Sequence, residues 1–254
     1  MTTTLETVRS VDPLAFTVGQ LVAERPSRAR VFENFGIDYC CGGKKPLDQA
    51  CRDRQVDPRV VLDALRDNDA DRAPEPDWSA LGLSRLADHI EKVHHGYLRQ
   101  ELPRLDFLAH KVANAHGQNH PELLELCAVF LHLKGEMLNH MQKEEGVMFP
   151  MCRRLERGDW PDNPVRAAVE RPVDVLTHEH EDAGRALEAM RRLTNDFTPP
   201  PDACNSYRAL FDSLKELEAD MHQHVHLENN VLFPEALRAD AAWRKAAKAG
   251  GATA

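Results

Sequence analysis

The sequence predicts an all-α fold, an up-down four-helix bundle preceded by a small helical domain. Three features point there. From about residue 80 onward, apolar residues recur at i, i+3, i+4 and i+7, with little of the alternation that marks strands. This pattern is interrupted by short stretches rich in Gly, Pro and Asn: NAHGQNHP, GDWPDNP and DFTPPPD. Finally, the string His-x-x-x-Glu-x-x-Val-x-Phe-Pro occurs twice, as HMQKEEGVMFP from His140 and HVHLENNVLFP from His224, 84 residues apart.

Residues 1–70 form the small helical domain. Thr17 is placed to cap VGQLVAE, and Ser27 to cap RARVFENF, which Gly36 then ends. Asp57-Pro58 opens RVVLDALR as an N-cap followed by proline at the first helical position. Between these lies DYCCGGKKPL, a glycine-rich turn that presents Cys40 and Cys41. An acidic, proline-rich linker over 71–79 leaves this domain free to move relative to the bundle. The bundle occupies 80–240, with helices near 80–114, 121–156, 165–196 and 203–239, and 241–254 is a tail. Pro150 and Pro234 are each expected to kink or end their helices.

At 254 residues the chain suits one ordinary domain plus a small one, or a single large one. Its balance of 42% hydrophobic and 29% charged residues is that of a soluble globular protein. No apolar run approaches the roughly 20 residues of a membrane span, and the N-terminus lacks the basic and apolar regions of a secretory signal. A formal net charge of −9 without a long basic stripe argues against nucleic acid as a partner. Adjacent Cys40 and Cys41 do not readily bridge to each other, so reduced thiols and a cytoplasmic location are expected.

The bundle stripes carry polar residues. In the fourth helix Tyr207, Leu210, Phe211, Leu214, Leu217 and Met221 lead on to His224 and Glu228, then to residue 231. In the second, residues 130, 133 and 137 lead to His140 and Glu144, then to 147 and 151. Residues four apart share a helix face, so each His/Glu pair points inward, where unpaired polar groups are costly. The third helix sets His180 among Val169, Val173, Leu176, Ala183, Leu187 and Met190. In the first, Leu86, Ile90, Val93, Tyr97 and Leu102 bracket the doublet His94-His95, and helical phase accepts either histidine. The internal spacing favours His95, because 95 to 180 is 85 residues and 94 to 180 is 86.

A single inward histidine is more often a hydrogen-bonded core residue than a ligand, and one His-x-x-x-Glu is common on a solvated face. Two matching pairs, two further stripe histidines and near-constant spacing together point to metal. Four imidazoles and two carboxylates suit two transition-metal ions with positions left open, unlike a closed, cysteine-rich structural zinc site. His110, His116, His120, His132, His222 and His226 are assigned to the surface or to supporting contacts.

With these residues in place, the C-terminal region resembles the hemerythrin-like domain, a four-helix bundle that holds a non-haem di-iron centre. It departs from the oxygen-carrying hemerythrins, which call for more histidines and a terminal aspartate. Asp38-Tyr39-Cys40-Cys41-Gly42-Gly43, HEHEDAG around His180, TPPPDAC at 198–204 and LENNVLFP at 227–234 are similar to the bacterial iron–sulfur cluster repair di-iron proteins, the repair-of-iron-centres family. The resemblance implies iron ligands at His95, His140, Glu144, His180, His224 and Glu228. It also implies two irons bridged by Glu144 and Glu228, with an oxo or hydroxo bridge compatible. Glu136 and Glu179 match acidic positions that flank the iron site. The implied partners are iron–sulfur proteins damaged by nitric oxide or oxidants, with nitric oxide or dioxygen as small ligands and a homodimer as the assembly.

The resemblance gives Cys40 and Cys41 a role in accepting nitric oxide, exchanging disulfides or passing iron, with Lys44 and Lys45 favouring the thiolate. The plainer alternative is a tight turn of small residues. Cys127, Cys152 and Cys204 are assigned to core or surface packing. Cluster repair by iron donation is the leading expectation. The alternatives are an enzyme that reduces nitric oxide or a related oxidant at the di-iron site, and a sensor or store in which ligand binding or iron content merely shifts interactions.

Overall fold

Thr17 closes a capping box at the start of the computed structural model, which describes residues 13–70, 78–159 and 168–250. Its hydroxyl accepts from the Gln20 N–H at 3.2 Å, while the Gln20 side chain accepts from the Thr17 N–H at 3.0 Å. Helix α1 (Val18–Glu24) follows. Ser27 precedes α2 (Arg28–Asn34) but makes no cap; its hydroxyl accepts instead from Asn68 at 2.9 Å. Gly36, at φ 63°, ends α2 as expected. A short helix that the sequence pattern did not announce, α3 (Leu47–Asp53), buries Leu47, Ala50 and Cys51. Helix α4 (Pro58–Ala70) begins after Asp57, whose carboxylate accepts from the Arg59 N–H at 2.8 Å. Buried Arg28 ties these helices together by pairing with Asp69 and Glu24, both at 2.7 Å.

Each bundle helix lies near its expected place. The first runs through α5 (Leu83–Ile90), a π-turn at Glu91–His95, and α6 (Gly96–His116). The second runs through α7 (Glu122–Lys143), a π-turn at Glu144–Met148, and α8 (Phe149–Arg157). The third is α9 (Glu170–Leu193). The fourth runs through α10 (Asn205–Leu227), a π-turn at Glu228–Leu232, and α11 (Phe233–Gly250), so it continues well beyond residue 239. Among the described residues there is no strand, and Thr17 and Pro46 form an isolated bridge. Most of the expected linker, residues 71–77, lies outside the described residues, and Trp78–Ala80 is a 3-10 turn.

The π-turns correct two expectations. Of the two outcomes expected at Pro150 and Pro234, a kink or an end, the end does not occur, since helix continues past each. Each follows a wide turn in which Phe149 N–H reaches back to the Glu144 carbonyl, or Phe233 N–H to that of Glu228. The widened turn relieves the clash a proline ring would otherwise make with the preceding turn. An i→i+5 turn also holds one extra residue, which shifts the phase of everything beyond it by about 100°. Val93 and Val147, assigned to buried stripes, are therefore 44% and 48% exposed. Met148 and Cys152 face inward instead of 147 and 151.

The apolar interior forms two bodies. One joins the N-terminal helices to α6, α7, α10 and the second half of α9. The other holds α5, α8, α11 and the first half of α9. His95, His140, Glu144, His180, His224 and Glu228 form a buried polar layer between them.

The cysteine turn rests on the fourth helix. Asn230 Nδ2 donates to the carbonyls of Tyr39 and Cys40, both at 3.3 Å, and His226 Nδ1 donates to that of Tyr39 at 3.4 Å. The Tyr39 ring packs edge-on against His226 and His222, and its hydroxyl donates to Glu33 at 2.9 Å. Gly43 permits this approach: a Cβ there would lie 2.5 Å from the Tyr39 carbonyl oxygen and 2.6 Å from Asn230 Oδ1.

Candidate metal centre

Three of the π-turns' residues belong to the buried polar layer. His95 closes the first turn, while Glu144 and Glu228 open the other two. Wide turns of this kind cluster at functional sites because they re-aim side chains that a regular helix would misplace. The donor atoms converge into two sets, each spanning no more than 4.8 Å: His95, Glu144, His224 and Glu228, and His140, Glu144, His180 and Glu228. Both glutamates are shared. Exchanging the first helix with the third, and the second with the fourth, turns one set into the other, as the repeated string in the sequence requires.

Outside the layer, acceptors fix which imidazole nitrogen faces inward. His95 Nδ1 donates to Glu145 at 2.6 Å, His140 Nδ1 to Glu179 at 2.9 Å, and His180 Nδ1 to Asn229 Oδ1 at 2.9 Å. Glu145 and Glu179 are themselves paired with Arg99 and Lys143. An ionised carboxylate or an amide oxygen only accepts, so each of these rings carries a proton on Nδ1, and Nε2 is the nitrogen turned to the centre.

There the acceptors crowd together. His95 Nε2 lies 3.1 Å from Glu144 Oε2, His140 Nε2 lies 3.3 Å from the same oxygen, and His180 Nε2 lies 3.1 Å from Glu228 Oε2. The Nε2 atoms of His140 and His180 face each other at 3.1 Å. Glu144 Oε1 is buried without a hydrogen-bond partner among the described residues. Lone pairs packed against carboxylates, with no hydrogens to share, are stable only around cations. Protons can serve. Burial lowers the His140 value, but Glu144, Glu179 and Glu228 outweigh it and lift it to about 10. Burial likewise works against a charged His95, yet Glu144, Glu228 and Glu145 hold its value above the ordinary one. The donor set of imidazole nitrogen and carboxylate oxygen thus fits a metal ion, which would displace those protons.

The structure also separates the candidates. His95 enters a set. His94 is buried beside it, pairs with Asp220 at 2.9 Å and stacks on His224 with ring centroids 5.3 Å apart. Glu179 holds His140. Glu136, one turn before His140, pairs with exposed His132 at 3.2 Å and enters neither set. Sequence reasoning missed Glu145 and Asn229. The signal was their position, each directly after a set glutamate.

Cys40 and Cys41 lie apart from both sets, with Asp38 as their neighbour. The Cys40 thiol donates to Asp38 at 3.2 Å, and the Cys41 thiol donates to the His180 carbonyl at 3.4 Å. The thiolate expected at Cys40 is not favoured. Cys41 beside it, then burial and Asp38, push its thiol well above the ordinary range. Lys45 is committed to Asp53 at 2.7 Å.

A helical bundle that surrounds a buried layer of histidine and glutamate is the architecture of a hemerythrin-type metal-binding domain. The Hemerythrin HHE cation binding domain family matches residues 86–236, and a Domain of Unknown function (DUF542) matches residues 15–69. The iron-sulfur cluster repair protein YtfE of Musicola paradisiaca is 36% identical, across 89% of this chain and 97% of its own. Its counterparts from Dickeya chrysanthemi and Escherichia coli O8 are each 34% identical, across 88% and 87% of this chain and 97% and 96% of theirs. The chain belongs to this family of iron-sulfur cluster repair proteins. Among the described residues, no helix is long and apolar enough to cross a membrane.

Proposed function

We propose that this protein repairs damaged iron–sulfur clusters by donating iron from a pair of non-haem iron positions. His95 and His224 would hold one ion and His140 and His180 the other, with Glu144 and Glu228 bridging. The observation that carries this reading is the sharing of both glutamates between two overlapping donor sets. Mixed imidazole and carboxylate ligation supplies redox-active iron with a looser hold than a closed thiolate cage, which suits iron that must leave. Glu145 and Glu179 orient His95 and His140, and the apolar bodies on either side keep bulk water from the layer. Asp38, Cys40 and Cys41, beside the His180 carbonyl, stand where departing iron could be received, in a compartment that keeps thiols reduced. Nitric oxide and dioxygen are small ligands such a centre would admit.

The test is metal analysis by mass spectrometry on protein purified without added metal, with transfer to a client whose cluster has been damaged. About two irons per chain and recovery of the client cluster are expected. Zinc alone, or a full iron load with no recovery of the client, would sink the proposal.

A further inference from the structure

The internal exchange that maps one donor set onto the other fails in the surrounding residues. Position 145 corresponds to 229, and position 94 to 179, as the repeat spacing fixes. In the first pair a carboxylate faces an amide: Glu145 accepts from His95, and Asn229 from His180. The second pair differs more. Glu179 accepts from His140 Nδ1, whereas its counterpart His94 offers His224 no acceptor. Instead His94 lies flat against the His224 ring, at an interplanar angle of 4°, with its own Nδ1 taken by Asp220. His224 Nδ1 is buried without a hydrogen-bond partner among the described residues.

This leaves His224 with two poor choices. A proton on Nδ1 is buried without a protein acceptor, which is costly. A proton on Nε2 can be donated to Glu228 Oε1, 3.1 Å away, but it occupies the lone pair that a metal needs.

Resting on the two-ion reading above, we infer that the two iron positions are inequivalent, and that the His95/His224 position is the one that gives up iron. His94, standing where the other half has Glu179, is the residue that makes it so. Loss of an outer hydrogen-bond partner typically weakens a metal site by about 10- to 100-fold. The His95/His224 position should therefore empty well before its mate.

The test is ferrous-iron-loaded full-length protein, kept anaerobic and challenged with a chromophoric ferrous chelator, with the remaining iron counted by mass spectrometry. Two phases of one iron each are expected, the faster by at least about tenfold. His94→Glu supplies the missing acceptor and should slow the fast phase toward the slow one. Glu179→Ala should speed the slow phase toward the fast one, which keeps the test decisive if His94→Glu does not fold. A single phase in the wild type overturns the inference. So does an unchanged fast phase in folded His94→Glu, or an unchanged slow phase in Glu179→Ala. Client repair is scored separately. Two phases without repair would remove the repair reading and leave the inequivalence standing, and one phase with repair would do the reverse.

Discussion

The thiol of Cys41 sits 3.4 Å from the backbone carbonyl oxygen of His180. Gly184, one turn further on, lies against the sulfur: a Cβ there would meet Sγ at 3.5 Å, an ordinary packing contact. The cysteine turn therefore lies directly on the helix that supplies one of the buried imidazoles, and Cys40, 6% exposed, is covered while it stays there. Gly43→Ala would drive a methyl group into the Tyr39 carbonyl and loosen the turn, at about 1–3 kcal/mol for such overpacking. Alkylation of Cys40, followed by mass spectrometry, should quicken by roughly tenfold or more. An unchanged rate would mean that the turn is not held by this contact.

Glu145 and Glu179 should matter for metal, and Glu136 should not. Glu145→Gln and Glu179→Gln each keep an acceptor but lose the charge that strengthens the imidazole. Each should weaken metal binding by about 10- to 100-fold in a competition titration. Glu136→Gln, whose carboxylate pairs with exposed His132, should bind as the wild type does.

His226 gives a pH dependence with a defined sign. Burial pushes its value down to about 4, only partly offset by the hydrogen bond to the Tyr39 carbonyl. The unfolded chain therefore binds the extra proton more readily than the native one, and stability falls as pH drops from about 6.5 toward 4. Urea unfolding of metal-free protein at pH 7 and pH 4 should show the wild type losing up to about 3 kcal/mol more than His226→Gln. Parallel losses in the two proteins would contradict this.

Deleting Gly146 should convert the π-turn at Glu144–Met148 to regular α-helix while keeping the apolar faces on both sides in phase. The protein should remain helical by circular dichroism, with a stability change within about 2 kcal/mol. Its metal should be largely lost, because the turn aims Glu144. Full metal retention would show that the wide turn is not needed for binding.

The four helices were legible because their breaks carry proline and glycine and their stripes follow a regular period. The repeated His-x-x-x-Glu strings exposed most of the donor set for the same reason. What the period hid were the wide turns: it placed Val93 and Val147 inside, and it could not choose between His94 and His95, which are both buried. Glu136 illustrates a different limit. It lies four residues before His140, on the same face, yet its side chain turns back to His132, a choice of rotamer that no spacing records. The pairing of His180 with Asn229 and the seat of the cysteine turn on Asn230 depend on contacts between distant segments.

The exchange symmetry of the donor layer has an ancestral consequence. A hairpin of two helices, half as long as this bundle, would build the same cluster by pairing with an identical copy of itself. In that pair, positions 94 and 179 would be one gene position, as would 145 and 229, so both halves would hold metal equally. Only after duplication and fusion into one chain could His94 part from Glu179 and Asn229 from Glu145. On the inequivalence inferred above, the single chain would let one half specialise in letting go while the other keeps its grip.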